Sequence, residues 1–455
     1  MNLVAADVDS EVSIIGAGPV GSFLAGMLAY NGVDVALFDK EQDSVESPRA
    51  MAVNARTAQI LDTFDLREKL LLGPPVDYGH YGRMKVNLTH VSTPWPGMWK
   101  IQQQHLNNEL LIWAINAGVR LIRGAKLTNL QENHSGYVKC TFEGSIKSTT
   151  SRLLVGCDGE TSSVRYLAGL GKEVAAGKRR FVTANLQSTD LPSFRFEQFA
   201  DGAVVSTGLI DTDMYRIMMH VPSSTPVLST SEDIKTVWQM ITGSSLQGKL
   251  LSWGIQTDRT LLAASFNTSR TLLAGDAAHS QLPVGGCSLN YGIEDAFNLA
   301  WRIYQSLKND RLDLFEDYTI ERRFAAHRMQ NFVRSQTEEL YGSRRPIGKL
   351  TVMGYSSEPK DPAGFISGTD VDYRLCGTGT TSLVSLDKVL RESQHCEIKY
   401  AQQNFKYSYI STNNSIHKID YMQDEQPLNK VSSKYCIDGR AESLIRPDGY
   451  ITTDF

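Results

Sequence analysis

Three glycines at G-x-G-x-x-G spacing, Gly16, Gly18 and Gly21, stand in the stretch EVSIIGAGPVGSFLAGMLAYNGVDVALFDK, residues 11–40. An acid, Asp39, follows about twenty positions after the loop. The chemistry such residues serve is the holding of a dinucleotide. Gly16 permits a tight turn, Gly18 lets the backbone approach a pyrophosphate, Gly21 lets a helix lie close on a strand, and the carboxylate accepts from a ribose hydroxyl. The elements that must place them surround them. VSII is a short β-branched run, as a strand buried on both faces requires. From Val20, just after Pro19, apolar residues recur at helical spacing until Asn31-Gly32, a C-cap signal. VDVALFD then reads as a second buried strand closing on Asp39, with Lys40 directly after it. The helix would turn free N–H groups and its positive dipole end toward the phosphates. This βαβ unit predicts a bound adenine dinucleotide and does not by itself separate NAD from FAD.

At 455 residues the chain is too long for one ordinary core, and two or three domains are expected. Lys and Arg total 46 against 50 Asp and Glu, a net charge of −4 that gives no electrostatic ground for nucleic acid or an anionic membrane. No apolar run reaches the length of a membrane span, and the first residues lack the pattern of a signal peptide. A soluble cytoplasmic protein, monomer or homodimer, is the expectation. Cys140, Cys157, Cys287, Cys376, Cys396 and Cys436 are scattered, with no C-x-x-C and no histidine at metal spacing, so free thiols and no metal are expected.

Further along, residues 101–131 read as a helix followed by strands, and residues 180–265 as a strand-rich region alternating like an antiparallel sheet with one covered face. Such a sheet suits a wall over a ligand cleft. TLLAGDAAHSQLPVGGCSLNYGIEDAFNLAWRIYQSLK, residues 271–308, reads as a buried strand, a glycine-containing loop and a long amphipathic helix starting near Asn290.

Three motifs in order carry a resemblance: the Gly16–Gly21 loop, VGCDGETSSVR (155–165) and GDAAHSQLPVGGCSLNYGIEDAFNLAW (275–301). SPRAMAVNARTAQILDTFDL lies between the first two, with Arg49 and Arg56 at arginine positions of the same pattern. Together they resemble the single-component FAD-dependent aromatic hydroxylases of the p-hydroxybenzoate hydroxylase fold, most of all the branch acting in aromatic polyketide biosynthesis. The resemblance implies that the loop holds FAD. It places Arg49 on the FAD diphosphate side, Gln103, or its neighbours Gln102 or Gln104, near the flavin ribityl chain, and Asp158-Gly159 near both the pyrophosphate and an incoming NADPH or NADH. Asp276 would accept from a ribityl hydroxyl and Pro283 would line the flavin. After Gly286, the backbone N–H groups of Leu289 and Asn290 would face the flavin N1 and C2 carbonyl. Cys287 and Ser288 depart from the family's loop, Ser288 with strain if a positive φ is needed there, and Asn107 stands where the family has an acid. His279 is expected to be structural. Phe196, Tyr215 and Arg216 lie in the sheet expected above the flavin.

The fold class expected is α/β: a Rossmann-like FAD-binding domain with an inserted, mostly antiparallel substrate sheet and a short, trimmed thioredoxin-like C-terminal segment. The boundaries are 1–178 with a small β insertion near 75–100, then 179–268 for the sheet, 269–375 for the second FAD-binding part, and 376–455 for the C-terminal module. No second G-x-G-x-x-G follows a strand, so the nicotinamide nucleotide would visit transiently and leave. The implied activity is monooxygenation of a phenolic or polycyclic aromatic compound with O2 as co-substrate, through a flavin C4a-hydroperoxide. Baeyer–Villiger oxidation, epoxidation and antibiotic inactivation use the same chemistry differently, and a flavin-fold carrier without chemistry is the non-enzymatic alternative.

Overall fold

The structure, a computed structural model, describes residues 9–341 apart from 44–51 and some shorter gaps, together with residue 366 and three short strands further on. The chain begins β1 (Ser10–Ile15), α1 (Pro19–Tyr30), β2 (Val35–Phe38), β3 (Ala52–Asn54), α2 (Ala55–Asp62), α3 (Arg67–Leu70), β4 (Tyr78–Tyr81), β5 (Met84–Asn87), β6 (Met98–Lys100) and α4 (Gln103–Asn116). It continues with β7 (Arg120–Ile122), β8 (Ala125–Glu132), β9 (Val138–Gly144), β10 (Ser148–Gly156), α5 (Ser163–Leu167) and β11 (Lys172–Ala175). Next come β12 (Arg180–Gln187), β13 (Phe194–Phe199), β14 (Gly202–Gly208), β15 (Met214–Val221), α6 (Ser231–Thr242), β16 (Lys249–Thr257) and β17 (Thr260–Ala263). β18 (Thr271–Leu273), a single turn at Gly275–Ala277, β19 (His279–Ser280), α7 (Cys287–Asn309) and α8 (Leu314–Tyr341) follow.

β2 is apolar throughout and β1 is buried at every position but Glu11, because both are interior to a seven-stranded sheet ordered β7-β2-β1-β10-β9-β8, with β18 also paired to β10. β7, β2, β1 and β10 run parallel, while β10, β9 and β8 are joined antiparallel, so the sheet is mixed. β10 takes two partners along one edge. Ser148–Ser151 pair with β9, and Leu154–Gly156 pair in parallel with β18. The ends of β1, β10 and β18 therefore lie side by side although the whole inserted sheet intervenes in sequence. α4 packs on α1 through Trp113: a Cβ at Gly26 would lie 2.2 Å from the Trp113 ring, so the ring rests directly on the α1 backbone.

The insertion is a five-stranded antiparallel sheet, β13-β14-β15-β12-β16. Its strands alternate, as the period of two demands. Val182, Ala184, Leu186, Ile217 and Met219 face α6, which presents Ile234, Val237, Trp238 and Ile241. Phe181 and Met218, on the opposite face, join a cluster with Leu282, Val284 and Cys287 ahead of and at the start of α7, and with Phe332 and Tyr341 of α8. The sheet is thus covered on both faces, where the sequence reading expected one cover and strands alone. The missing element is α6, begun by a reciprocal cap between Thr230 and Asp233 and closed by left-handed Gly243. Arg179 fixes the junction, pairing with Glu338 of α8 through two bonds of 2.7 Å and with Asp258 at 3.2 Å.

Among the described residues no helix is long and apolar enough to cross a membrane, and no group of His, Cys, Asp and Glu could hold a metal ion. Cys140, Cys157 and Cys287 are free thiols. Cys376, Cys396 and Cys436 lie outside the described residues, as does most of segment 376–455. Of that segment, β20 (Val384–Ser385), β21 (Leu444–Ile445) and β22 (Tyr450–Thr452) form a small antiparallel sheet.

Candidate functional site

Three loops meet where β1, β10 and β18 end. Gly16 leaves β1 at φ +104°, and a Cβ there would lie 2.4 Å from the Cys157 carbonyl oxygen at the end of β10. A Cβ at Gly21 would lie 2.0 Å from the Gly16 carbonyl oxygen, so α1 starts in direct contact with the turn. Gly18 differs: nothing lies within 4 Å of its missing side chain. α1 has Gly18 as N-cap and Pro19 in its first turn, with no side-chain cap and no acid. Ser22 is the first residue to bond back, to the Gly18 carbonyl at 2.9 Å, which leaves the N–H groups of Val20 and Gly21 outside the helical ladder. An uncapped, positive helix end beneath open space is a cradle for a pyrophosphate.

Asp39, directly after β2, accepts from the Ala17 N–H at 2.7 Å and from the Glu41 N–H at 2.9 Å. It braces the glycine loop, and a carboxylate with about four acceptor positions keeps capacity for a ribose hydroxyl. Lys40 is exposed and lies 3.8 Å from Glu41. Arg49 lies outside the described residues. Gln103, half-buried, is the first residue of α4, while Gln104 pairs with Asn108 at 3.2 Å on the exposed side.

The second loop is organised by Asp158 in a way the motif did not reveal. One carboxylate oxygen accepts from the N–H groups of Ser163 and Val164, at 2.7 and 3.1 Å, and so caps α5; the other is buried without a partner. Burial pushes the Asp158 carboxyl above its usual range, against these hydrogen bonds. Gly159 follows at φ +80° with nothing within 4 Å of its missing side chain. Arg165, the last residue of the motif and not singled out from sequence, is buried; it donates to the Ala277 carbonyl at 2.5 Å and to the Glu160 carbonyl at 2.7 Å. It ties the second loop to the third.

In that third loop Asp276 sits half-buried in the single turn after β18, between Gly275 and Ala277. Val20 of the first loop packs beneath it: a Cβ would approach a Val20 methyl to 3.1 Å at Gly275 and 2.6 Å at Gly292. If Asp276 accepts from a ribityl hydroxyl, Asp276→Ala will weaken FAD retention by about ten- to a hundredfold, the range expected for a hydrogen bond to a charged acceptor. Equilibrium dialysis of the flavin measures it, and unchanged affinity would show that Asp276 does not touch the cofactor.

Behind this turn lies a buried charge network that the sequence reading missed. His279 Nε2 is 2.7 Å from Asp295 Oδ2, both side chains being wholly enclosed. The same Asp295 oxygen accepts from the Gly275 N–H at 2.9 Å, and its other oxygen accepts from Arg322 Nε at 2.6 Å. Arg322 also reaches Glu294 at 3.4 Å and the Tyr291 carbonyl at 3.2 Å. Burial alone would raise the Asp295 pKa, but His279 and Arg322 outweigh it and hold the carboxyl below its ordinary value. Glu294 goes the other way, raised by burial despite the arginines near it. His279 therefore positions the turn and faces no open site.

The start of α7 corrects the expected geometry. The helix begins at Cys287, three residues before the expected start, with Gly286 as N-cap at φ +66° and Gly285 at φ +76°. Both left-handed positions fall on glycine, and Ser288 is helical, so the expected strain at Ser288 is absent. Asn290 is the fourth helical residue, and its N–H belongs to the Gly286 carbonyl. The free N–H groups are those of Cys287, Ser288 and Leu289. The Asn290 side chain instead staples β3 to α7: it accepts from the Asn54 N–H at 2.9 Å and donates to the Ala52 and Gly286 carbonyls at 3.2 and 2.7 Å. Pro283 is half-buried between buried Leu282 and Val284. Burial pushes the Cys287 thiol up to about 12, so it is no nucleophile at neutral pH.

In the inserted sheet, Tyr215 points to the α6 side and packs in the core there, which removes it from the surface facing these loops. Arg216, its neighbour on the strand, faces the opposite way; it is buried, donates to Asn185 Oδ1 at 2.9 Å, and has its pKa lowered to about 10 by desolvation. Phe196 borders the cluster that includes Val284 and Cys287.

Comparison with known proteins places this geometry. The family described as FAD binding domain matches residues 9–333. A rifampicin monooxygenase of Rhodococcus hoagii is 29% identical over 72% of this chain and 71% of its own length. The 12-dehydrotetracycline 5-monooxygenase/anhydrotetracycline 6-monooxygenase of Streptomyces rimosus is 26% identical, covering 97% of this chain and 94% of its own. The solved structure of an anhydrotetracycline hydroxylase from Streptomyces rimosus superposes with a TM-score of 0.72 at 23% identity, over 98% of this chain and 96% of that one. At that identity it speaks for a shared fold.

Proposed function

We propose, because the chain belongs to the FAD-binding-domain family, that it is a FAD- and NADPH- or NADH-dependent monooxygenase that hydroxylates a phenolic or polycyclic aromatic compound. The observation that carries this reading is the convergence of the uncapped α1 terminus, Asp39 and the Asp276 turn on one edge of the mixed sheet. Relatives named as monooxygenases of tetracycline intermediates and of rifampicin support the reaction and the polycyclic substrate class. Since one of those relatives is named for an antibiotic, oxygenation of a finished antibiotic is the second reading.

FAD, when bound, supplies two-electron redox chemistry and the activation of O2. The residues of this chain do the rest. The N–H groups of Val20 and Gly21 would hold the pyrophosphate, Asp39 would accept from the adenosine ribose, and Asp276 would orient the ribityl chain. The free N–H groups of Cys287, Ser288 and Leu289, with the positive end of α7 behind them, would stabilise negative charge on a flavin held here. Leu282, Val284 and Phe181, joined in one buried apolar cluster, would keep water from the start of α7. The nicotinamide nucleotide docks transiently against the Asp158-Gly159 loop. Segment 376–455 is read as a trimmed thioredoxin-like module supporting structure or dimerisation in a cytoplasmic enzyme, with no redox role for Cys376, Cys396 or Cys436 because they lack C-x-x-C spacing.

Purified protein should be yellow and release FAD on denaturation, because the Gly16–Asp39 unit reads an adenosine half that FMN lacks. Chromatography of the released flavin is the check. A colourless protein that takes up no FAD would favour a carrier, and FMN alone would remove the dinucleotide assignment.

A further inference from the structure

Glu294 and Asp295, consecutive on α7, share one arginine unequally. Asp295 has His279 Nε2 at 2.7 Å, the Gly275 N–H at 2.9 Å and Arg322 Nε at 2.6 Å. Glu294 Oε2 lies 3.4 Å from Arg322 Nη1, while Glu294 Oε1 is buried without a partner. The residue is 5% exposed. Two carboxyls beside one guanidinium cannot both ionise cheaply away from water, and the one with fewer donors is the one to take a proton. Burial pushes the Glu294 carboxyl up; Arg322 and Arg56 of α2 oppose this, and the Asp295 charge adds to it. α1, which also packs on α7 at Gly292, carries no charged side chain. Glu294 stands seven residues after Cys287, the first residue of the helix. That is a rise of about 10.5 Å, shortened by the lean of helical side chains toward the N-terminus. Its charge is felt there: after burial, it is the second cause that raises the Cys287 thiol. The same turn offers the free N–H groups of Cys287, Ser288 and Leu289.

We propose that Glu294 takes up a proton when the flavin is reduced, so that two electrons enter with two protons, one on the ring system and one on this carboxylate. This rests on the reading of the chain as a flavin monooxygenase and adds how the charge of reduction is balanced. The nicotinamide nucleotide delivers a hydride, which leaves hydrogen on N5 and a negative charge spread over N1 and the C2 carbonyl. The second proton comes from solvent and forms an O–H bond on Glu294; no other bond breaks. At an effective dielectric of about 20, unit charges about 10 Å apart shift a proton equilibrium by about tenfold. That is enough to move a carboxyl near its midpoint from mostly ionised to mostly protonated.

The test is a dithionite redox titration of FAD-loaded full-length protein from about pH 5, just above the ordinary glutamate value, to about pH 9. The midpoint potential falls by about 30 mV per pH unit for one proton per two electrons and by about 59 mV for two. Wild type should show the steeper slope over part of this range. Glu294→Gln, which matches the protonated acid in shape, should show the shallower slope throughout. Equal slopes for the two proteins, or a steeper variant, overturn the inference. If the variant does not hold FAD, the wild type decides alone. A pH-indicator dye should then count more than one proton per flavin reduced, while absorbance shows the anionic reduced form. A count of one, or the neutral reduced form, overturns the inference. Flavin content is read first: wild-type protein that takes up no FAD overturns the monooxygenase reading and this inference with it, whereas loaded protein with equal slopes overturns the inference alone.

Discussion

Asp295→Ala will cost about 3–5 kcal/mol of unfolding free energy, the range for breaking a buried ion pair from one side. The substitution takes from Arg322, 1% exposed, its 2.6 Å carboxylate partner, and it strips the Gly275 N–H and His279 of their shared acceptor. The effect has a pH signature. The Asp295 carboxyl is held below its ordinary value in the fold, so the folded state binds fewer protons than the unfolded one through the acid range. The stability it contributes is complete above the unfolded-state pKa, near 4 for an aspartate, and is lost as pH falls through the folded value. Urea titrations should therefore show the gap between wild type and variant at its widest near neutrality and narrowing below about pH 4. A gap under about 1 kcal/mol at neutral pH, typical of a surface pair, would show that the enclosed geometry confers nothing special.

Gly21→Ala should abolish most FAD retention while the sheet still forms. A methyl at this position would stand 2.0 Å from the Gly16 carbonyl oxygen, and that oxygen belongs to backbone, which cannot swing aside as a side-chain tip does. α1 must lift from the turn. Overpacking of this kind costs about 1–3 kcal/mol, and because the displaced atoms are the proposed donors to the pyrophosphate, FAD affinity should drop by about ten- to a hundredfold. Gly18→Ala is the control: nothing lies within 4 Å of its missing side chain, so the apoprotein should tolerate it and only the cofactor should feel the methyl. Equal FAD affinity for wild type and Gly21→Ala would falsify the placement of the pyrophosphate on this helix.

The parts that sequence made visible are those whose physics is local. Gly16, Gly18, Gly21 and Asp39 lie within one βαβ unit, and strand, turn and helix signals agree there. α6 could have been found the same way, from Thr230 and Asp233 three residues apart and Gly243 behind the apolar run, but the strands around it drew the reading. What was hidden depends on partners far along the chain. Glu294 and Asp295 look like a solvated stripe of α7 until Arg322 of α8 is packed against them. Tyr215 and Arg216 differ only in which face of β15 they take, and that is settled by α6 on one side and α8 on the other. The start of α7 was misplaced because Asn290 resembles a cap in sequence, while its side chain reaches back to a strand more than two hundred residues away.

The two-partner edge of β10 bears on how such a chain comes to be made. While synthesis proceeds from the amino terminus, β1, β2, β7, β8, β9 and β10 can assemble as soon as they emerge, but Leu154–Gly156 keep one edge bare until β18 arrives behind the entire inserted sheet. A bare edge is a template for the wrong strand, and a pairing between distant segments is slow to form. The Asp276 turn and the mouth of α7 come later still, so the nascent protein holds half a nucleotide cradle well before it can close it. A flavin touching both halves, as proposed above, would then act as the rivet of the finished sheet, and scarcity of flavin during expression would be felt first as aggregation.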